Sequence, residues 1–430
     1  MNVKDKNSKE SQPSKIHVSS EIGKLKRVIM HRPDEGIARI SPRRAGELLF
    51  DDIVHLPQMQ EEHDIFTDVL RAFIGKENVL ETRQLLVEAL KLEEEAKREM
   101  VEKIIDYEEL PESYINMLSE LSNEDLADTL ITGYMTRDHH ILFDPIPNFI
   151  FTRDIAVTVN DHILILKAAK QARFRENFLA RFIFWSHPIF RESREAGKII
   201  NLNHVNLFPP SKKGENISIE GGDVMILNKD YLLIGCSERT NAYTIRLLKD
   251  HLIDKGVVQN VVQVNIPHDR AYMHIDTIFT HINHNHITAF RPIVVHGLSS
   301  NVEVHRSNGK STFYPSVKDF IRAEINPKMK FVLSGDGESP YQEREQWTDG
   351  CNLVAIKPGV ALTYDRNPKT EEAFKDYGYN VIHAKKLLNL FQTGELRPED
   401  VENTIITLPS NELSRARGGS HCMTCPIERE

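Results

Sequence analysis

Cysteine is scarce in this chain. Cys236, Cys351, Cys422 and Cys425 are the only four among 430 residues, too few for a disulfide scaffold, so reduced thiols and a cytoplasmic setting are expected. No apolar run approaches the roughly 20 residues that span a bilayer, so no membrane partner is expected. Positive charge is not in excess either: 54 Lys and Arg stand against 63 Asp and Glu, a net charge of −9. A nucleic-acid binder needs a basic surface to displace counterions from phosphate, so no nucleic acid is expected, whereas a cationic small molecule remains open as a substrate. Residues 1–15 hold no apolar stretch of the kind that marks a secretory signal. They are polar and charged and read as a disordered lead-in. The rest has an ordinary globular composition, 40% hydrophobic and 27% charged, and its length suits two or three domains or one large architecture.

The first ordered element expected is Leu25–Met30, a strand-like run stopped by Pro33. Residues 59–135 then follow a helical period. Ile65, Phe66, Val69, Leu70 and Phe73 recur at helical spacing, as do Leu85, Leu86, Ala89, Leu90, Ala96 and Met100. Ser122 followed by Asn123, Glu124 and Asp125 has the form of a capped helix start. This stretch reads as an all-helical insertion, which leaves 16–58 and 136–430 as the main body.

Beyond residue 140 the pattern becomes short strands, and it repeats. Asp154, Asp223, Asp276 and Asp349 each precede an apolar run, a turn of Asn, Asp, Lys, Pro or Gly, and a second apolar run. Helical stretches follow two of these units, at 240–254 and 369–377. Repeated ββα units suit radial repetition about an axis, which would point one acid from each unit toward a shared centre.

Four clusters near these positions carry the chemistry. Asn148 to Asp154 is the first. In the second, two glycines separate Glu220 from Asp223, which implies a tight turn with both carboxylates at one locus. In the third, His274 and Asp276 lie two apart, the spacing that puts side chains on one face of a strand. The fourth runs Arg417, Gly418, Gly419, Ser420, His421, Cys422, then Cys425. One histidine with several carboxylates can bind a metal, perform acid–base work, hold a cation or serve structure. The Cys-x-x-Cys could be a redox dithiol, half a zinc site joined by His421, or a nucleophile whose thiol is tuned by Arg417 and His421. Spacing alone does not say which cysteine acts. A thiol, a histidine and several acids together fit attack on the carbon of a guanidinium, which is planar, always protonated and rich in N–H donors.

At these residues the chain resembles the arginine deiminase family of guanidine-modifying enzymes. The matching segments are Leu49–Asp52, Asn148–Asp154, Ala172–Arg173, Glu220–Asp223, Cys236–Thr240, His274–Thr277, Gln342–Trp347 and Arg417–Arg429, in the family's order. The resemblance implies a five-bladed α/β-propeller of pseudo-fivefold ββαβ repeats with a helical insertion. It implies hydrolysis of L-arginine to L-citrulline and ammonia by a hydrolase acting on a C–N bond of a linear amidine, with no metal, no cofactor and a homo-oligomeric state (dimer or tetramer). It makes Cys422 the nucleophile that carries the amidino group, His274 the acid–base with Glu220 beside it, Asp154 and Asp276 the guanidinium carboxylates, and Asp223 a supporting acid. Asn148, Phe151, Arg173, Arg239, Arg417 and His421 would hold the substrate carboxylate or line its pocket, and Cys425 would be structural. Residues 385–403 look like a helical addition. The rivals are an amidinotransferase of the same fold and a metal- or redox-binding protein built on His421, Cys422 and Cys425.

Overall fold

The apolar run Leu25–Met30 forms strand β1 over the predicted residues. Helix α1 (Leu56–Ile74) follows, with Pro57 in its first turn, where a missing N–H costs nothing, and Gly75 at φ 87° ending it. The chain returns as β2 (Val79–Glu81), parallel to β1. Helices α2 (Thr82–Leu92), α3 (Glu94–Tyr107), α4 (Ser113–Ser119) and α5 (Asn123–Thr132) come next. Ser122 caps α5 as its sequence predicts, its Oγ accepting the Asp125 N–H at 3.0 Å. The computed structural model describes residues 15–50 and 52–430; all of the lead-in but Lys15 lies outside the described residues.

A short hairpin, β3 (Tyr134–Met135) with β4 (His140–Ile141), leads into the strand-rich half. There β5 (Ala156–Val159) pairs with β6 (His162–Ile165), and helices α6 (Phe174–Ser186) and α7 (Arg191–Glu195) carry the chain to β7 (Ile199–Asn201), parallel to β6. The second hairpin is β8 (Val224–Asn228) with β9 (Tyr231–Cys236); α8 (Ala242–Asp254) crosses over to β10 (Asn260–Asn265), parallel to β9. The third is β11 (Phe279–Asn283) with β12 (His286–Ala289). After it, β13 (Asn301–Arg306) and β14 (Ser311–Tyr314) extend the previous sheet from β10. Helix α9 (Val317–Phe320) then precedes β15 (Lys330–Leu333), parallel to β12, and α10 (Tyr341–Trp347) follows. The fourth hairpin is β16 (Val354–Lys357) with β17 (Val360–Tyr364). Helix α11 (Pro368–Asp376), β18 (Asn380–His383), α12 (Ala384–Thr393) and β19 (Thr404–Leu408) complete its sheet, β19 lying between β17 and β18 and parallel to both. Last, β20 (Cys425–Arg429) pairs antiparallel with β1. The described residues thus form a mixed α/β fold of five sheets with three to five strands each, plus the β3–β4 hairpin. The parallel pairs need helical crossovers, which is why helices alternate with hairpins.

Two packing facts position the site. Leu85, Leu86, Ala89 and Leu90 of α2, Met100 of α3 and Leu126 of α5 share one core with Leu179 and Ile183 of α6, so the helical layer stands against the first strand-rich sheet. Helix α1 instead packs on α12, Phe73 meeting Phe391 edge-on at 5.6 Å between ring centres. Short 3-10 turns at 152–154, 221–223 and 275–277 deliver the chain into β5, β8 and β11. His274 and Asp276, read from spacing as strand residues, therefore sit at such a turn. Thr277 closes it, with its N–H and its Oγ–H both donating to the His274 carbonyl.

Candidate active site

The acids converge because their turns pack on one another. Asp154 Oδ1 accepts the Gly222 N–H at 3.1 Å, and Asp223 Oδ1 accepts the Ile275 N–H at 2.9 Å. Gly222 lies flat against His274; a Cβ there would sit 2.5 Å from the imidazole Nδ1. His274 Nε2 donates to Glu220 Oε2 at 3.0 Å. Burial pulls the His274 imidazole down, but Asp154, the Glu220 hydrogen bond and Asp223 outweigh it and lift it to about 10. Burial pushes the other way on Glu220, yet Arg173, His274 and Arg239 hold it well below the usual carboxylate range. His274 is therefore an imidazolium paired with a carboxylate, a proton donor in place at neutral pH.

Cys422 faces this group from the C-terminal loop. Its Sγ lies 3.4 Å from Asp276 Oδ2, which also accepts from His421 Nδ1 at 2.9 Å. The loop is stitched to the first turn by the Arg153 N–H on the Cys422 carbonyl and the Thr152 hydroxyl on the Met423 carbonyl, both at 3.1 Å. Burial, then Asp276, Asp154 and Asp349, push the thiol well above its ordinary value, so it is neutral in the free protein. Asp276 is fully buried and its Oδ1 has no hydrogen-bond partner among the described residues, an acceptor open to an N–H group.

The basic residues differ in their commitments. Arg173 Nη1 lies 2.7 Å from Asp154 Oδ2 and 3.4 Å from Glu220 Oε2, while its Nε and Nη2 both bond Glu176 Oε2. Arg239 lies 3.6 Å from Glu220 and turns its Nη2 to the Met273 sulfur at 3.5 Å. Its buried Nε has no hydrogen-bond partner among the described residues. Arg417, at φ 62°, lays its guanidinium 3.4 Å over the Trp347 ring. Asn148, Phe151, Asp154, Arg173, Glu220, Arg239, His274, Arg417 and Cys422 line a single cavity of about 40 Å³.

Three of the predicted residues stand outside that lining. Asp276 reaches the cysteine from behind. Asp223 accepts from Ser237 Oγ at 2.6 Å as well as from Ile275, and burial raises it to about 7. His421 bridges Asp276 and Glu21, 3.3 Å from the latter. Cys425 is far from this chemistry: it lies on β20, donates to the Ala156 carbonyl and is pushed up to about 12 by burial. The ligand atoms of Asp154, Glu220 and His274 lie within 4.8 Å of one another, a spacing a metal could use, but both acids already face the Arg173 guanidinium. Residue-type reasoning missed Leu49, Arg270, Met273 and Thr277, which also line the cavity, and Glu176 and Asn352 behind it. Leu49 carried a faint signal, heading a matched segment; its positive φ of 59° appears only in three dimensions.

Two solved structures share this architecture. SxtG, an amidinotransferase from Microseira wollei, aligns with a TM-score of 0.52 at 12% identity, over 97% of this chain and 98% of its own. The N-terminal domain of ArgZ, an arginine dihydrolase from cyanobacteria, aligns with a TM-score of 0.50 at 13% identity, over 94% and 98%. These define the class by fold, the mixed α/β fold of amidinotransferases and dihydrolases. The family follows from sequence. The arginine deiminase family profile matches residues 46–429. Proteins named arginine deiminase from Limosilactobacillus reuteri and Limosilactobacillus fermentum are 33% and 34% identical, over 97% of this chain and 98% and 99% of theirs. One from Borrelia duttonii is 29% identical over 96% and 98%. The chain belongs to the arginine deiminase family.

Proposed function

We propose that this protein hydrolyses L-arginine to L-citrulline and ammonia through a covalent intermediate on Cys422, without metal or cofactor. The observation that carries the mechanism is the pairing of a protonated His274 on Glu220 with a buried thiol that faces Asp276 and Asp154. Those acids keep the thiol neutral until a cation arrives. The substrate guanidinium takes over the Asp154 bond now made by Arg173 and fills the open Asp276 Oδ1. With the acids compensated, the thiol releases its proton to water and Sγ attacks the guanidinium carbon. His274 protonates the departing amine. Neutral His274 then takes a proton from the water that attacks the same carbon. The C–S bond breaks with its electron pair on sulfur, the remaining hydroxyl proton passes to solvent, and the thiolate is reprotonated as citrulline forms. Asp223 holds the His274 turn, His421 holds Asp276, and Asn148, Phe151, Arg239 and Arg417 receive the amino-acid end.

We also read the five sheets as blades of an α/β-propeller about this site, with 16–58 and 136–430 as the catalytic body. The stretch 59–135 is not all-helical as its period suggested, because β2 within it joins the sheet of β1 and β20, so the insertion is its helices. No helix among the described residues is long and apolar enough to cross a membrane, and all four cysteines are free thiols; a cytoplasmic homo-oligomer is the state we propose. The test is a citrulline assay with arginine as sole substrate, in excess chelator. Wild type and Cys425→Ala should turn over; Cys422→Ala should not. Dependence on an added acceptor amine would indicate amidino transfer instead, and loss of activity on chelation would sink the metal-free mechanism.

A further inference from the structure

The loop from Asp349 to Asn352, which leads into β16, reaches Cys422 from behind, and the mechanism above gives it no task. Asn352 is 1% exposed, and its amide fills all four hydrogen-bonding positions. Oδ1 accepts the His421 N–H at 3.0 Å and the Cys422 N–H at 3.4 Å. Nδ2 donates to the Asp276 carbonyl and to Cys422 Sγ, each at 3.2 Å. Two backbone N–H groups can be met only by the oxygen, so the orientation of the amide is dictated and its N–H must face sulfur. We propose that Asn352 is a catalytic residue whose side-chain N–H stabilises the Cys422 sulfur as a thiolate, both for attack on the guanidinium carbon and for departure in the hydrolytic half. This rests on Cys422 being the nucleophile.

The physical need for such a donor is plain. The charged groups facing the sulfur are Asp276, Asp154 and Asp349, and all three oppose a negative sulfur. Against them stand the Gly419 backbone and Asn352 Nδ2. The substrate cation can compensate the acids while the first bond forms. In the second half the tetrahedral carbon carries a hydroxyl, the Sγ–C bond breaks with its electron pair on sulfur, and the hydroxyl proton passes to solvent to leave an uncharged carbonyl product. At that moment the substrate no longer brings a cation to offset the acids, and Asn352 Nδ2 is a fixed donor directly on the sulfur. An amide N–H serves better than a cation, because it supports the charge without forming a competing ion pair with Asp276.

The experiment compares wild type, Asn352→Asp and Asn352→Ser. Asp keeps the two backbone N–H bonds but turns an acceptor toward sulfur; Ser removes the donor without adding charge. Three quantities are measured: melting temperature, the pH midpoint for iodoacetamide alkylation of Cys422, and steady-state kinetics with arginine. Acid-quenched mass spectrometry tests for an adduct of arginine less ammonia on Cys422. Losing one hydrogen bond to a charged group predicts a roughly 10- to 150-fold fall in kcat, larger for Asp, with KM changed less than about threefold. The alkylation midpoint should rise by about one pH unit or more. Wild-type kcat and midpoint in either folded variant would overturn the assignment. So would an unmoved midpoint with lost kcat, or failure of both variants to fold, each of which marks a purely structural amide. Absence of the adduct from wild-type Cys422 would instead overturn the nucleophile reading.

Discussion

Single side chains divide here into those that hold charge and those that hold geometry. Asp154 and Asp276 are the two carboxylates proposed to grip the substrate cation; Asp276 is fully buried, and its Oδ1 has no hydrogen-bond partner among the described residues. Replacing either by Asn removes charge and presents donors to donors. Each acid stands to lose two charge-assisted bonds of about 1.5–3 kcal/mol, which corresponds to a fall of about 10²–10⁴-fold in kcat/KM. Steady-state kinetics of Asp154→Asn and Asp276→Asn check this; near-normal turnover in either folded variant would reduce that acid to a turn residue. Glu176 shows the same division from the other side. It is 1% exposed, accepts twice from Arg173, and is raised to about 7 by burial, so it anchors a neighbour without touching the cavity.

Elements matter where one must approach another closely. The C-terminal loop reaches the site only because Gly418 and Gly419 let it pass. A Cβ on Gly419 would overlap Asn352 Oδ1, whereas one on Gly46 would meet nothing within 4 Å. Gly419→Ala should therefore cost about 1–3 kcal/mol of stability and at least tenfold in kcat, while Gly46→Ala should be silent. Melting curves and kcat for both variants test the contrast, and equal behaviour would refute it. A second junction ties the exit of β1 to the start of α2. His31 Nε2 lies 2.8 Å from Asp34, its Nδ1 lies 3.2 Å from Glu81, and Glu81 caps α2 through the Gln84 N–H at 3.1 Å. Burial opposes the charge on His31, but the hydrogen bonds of Asp34 and Glu81 raise it to about 10. A raised histidine stabilises fully below its unfolded value of about 6.5 and loses that contribution as pH climbs toward 10. Thermal melts from pH 6.5 to 10 should show His31→Gln less stable than wild type at the acid end, by a few kcal/mol in order of magnitude, with the gap closing at the alkaline end. A pH-independent gap would mean that His31 acts by packing alone.

At the scale of the whole molecule, carboxylates and guanidinium groups line one cavity. In the proposed mechanism the carboxylates serve the guanidinium, which arginine shares with agmatine, a molecule that lacks the α-carboxylate. The proposed reading assigns discrimination to Arg239, whose buried Nε lacks a hydrogen-bond partner among the described residues, with Asn148 and Arg417 also on the cavity wall. Arg239 already faces Glu220 and Glu238, so the substrate carboxylate adds charge-assisted hydrogen bonds of about 1.5–3 kcal/mol each; kcat/KM should favour arginine by roughly 10- to 150-fold per bond, and Arg239→Ala should erase most of that preference. Comparing both substrates in both proteins decides it. Equal use of agmatine by the wild type would remove Arg239 from the carboxylate end.

Much of this molecule was legible along the chain, because the information was local. The apolar run of β1, the Ser122 cap and the four hairpins behind Asp154, Asp223, Asp276 and Asp349 depend on neighbours a few residues apart, and period and turn chemistry report such contacts directly. The residue types of the site were legible too, since a thiol, a histidine and paired acids limit the chemistry. Three-dimensional packing decided the rest. It separated Cys422, 3.4 Å from Asp276, from Cys425, buried on β20 against Ala156, although the two are three residues apart. It moved His274 and Asp276 from a strand to a turn, committed Arg173 to three carboxylates, and brought Asn352 onto the sulfur from 70 residues away. These outcomes rest on burial and on distances between segments remote in sequence, which set the local dielectric and the partners of each charge. A sequence names the groups that can ionise; only their packing determines which of them carry charge and toward what.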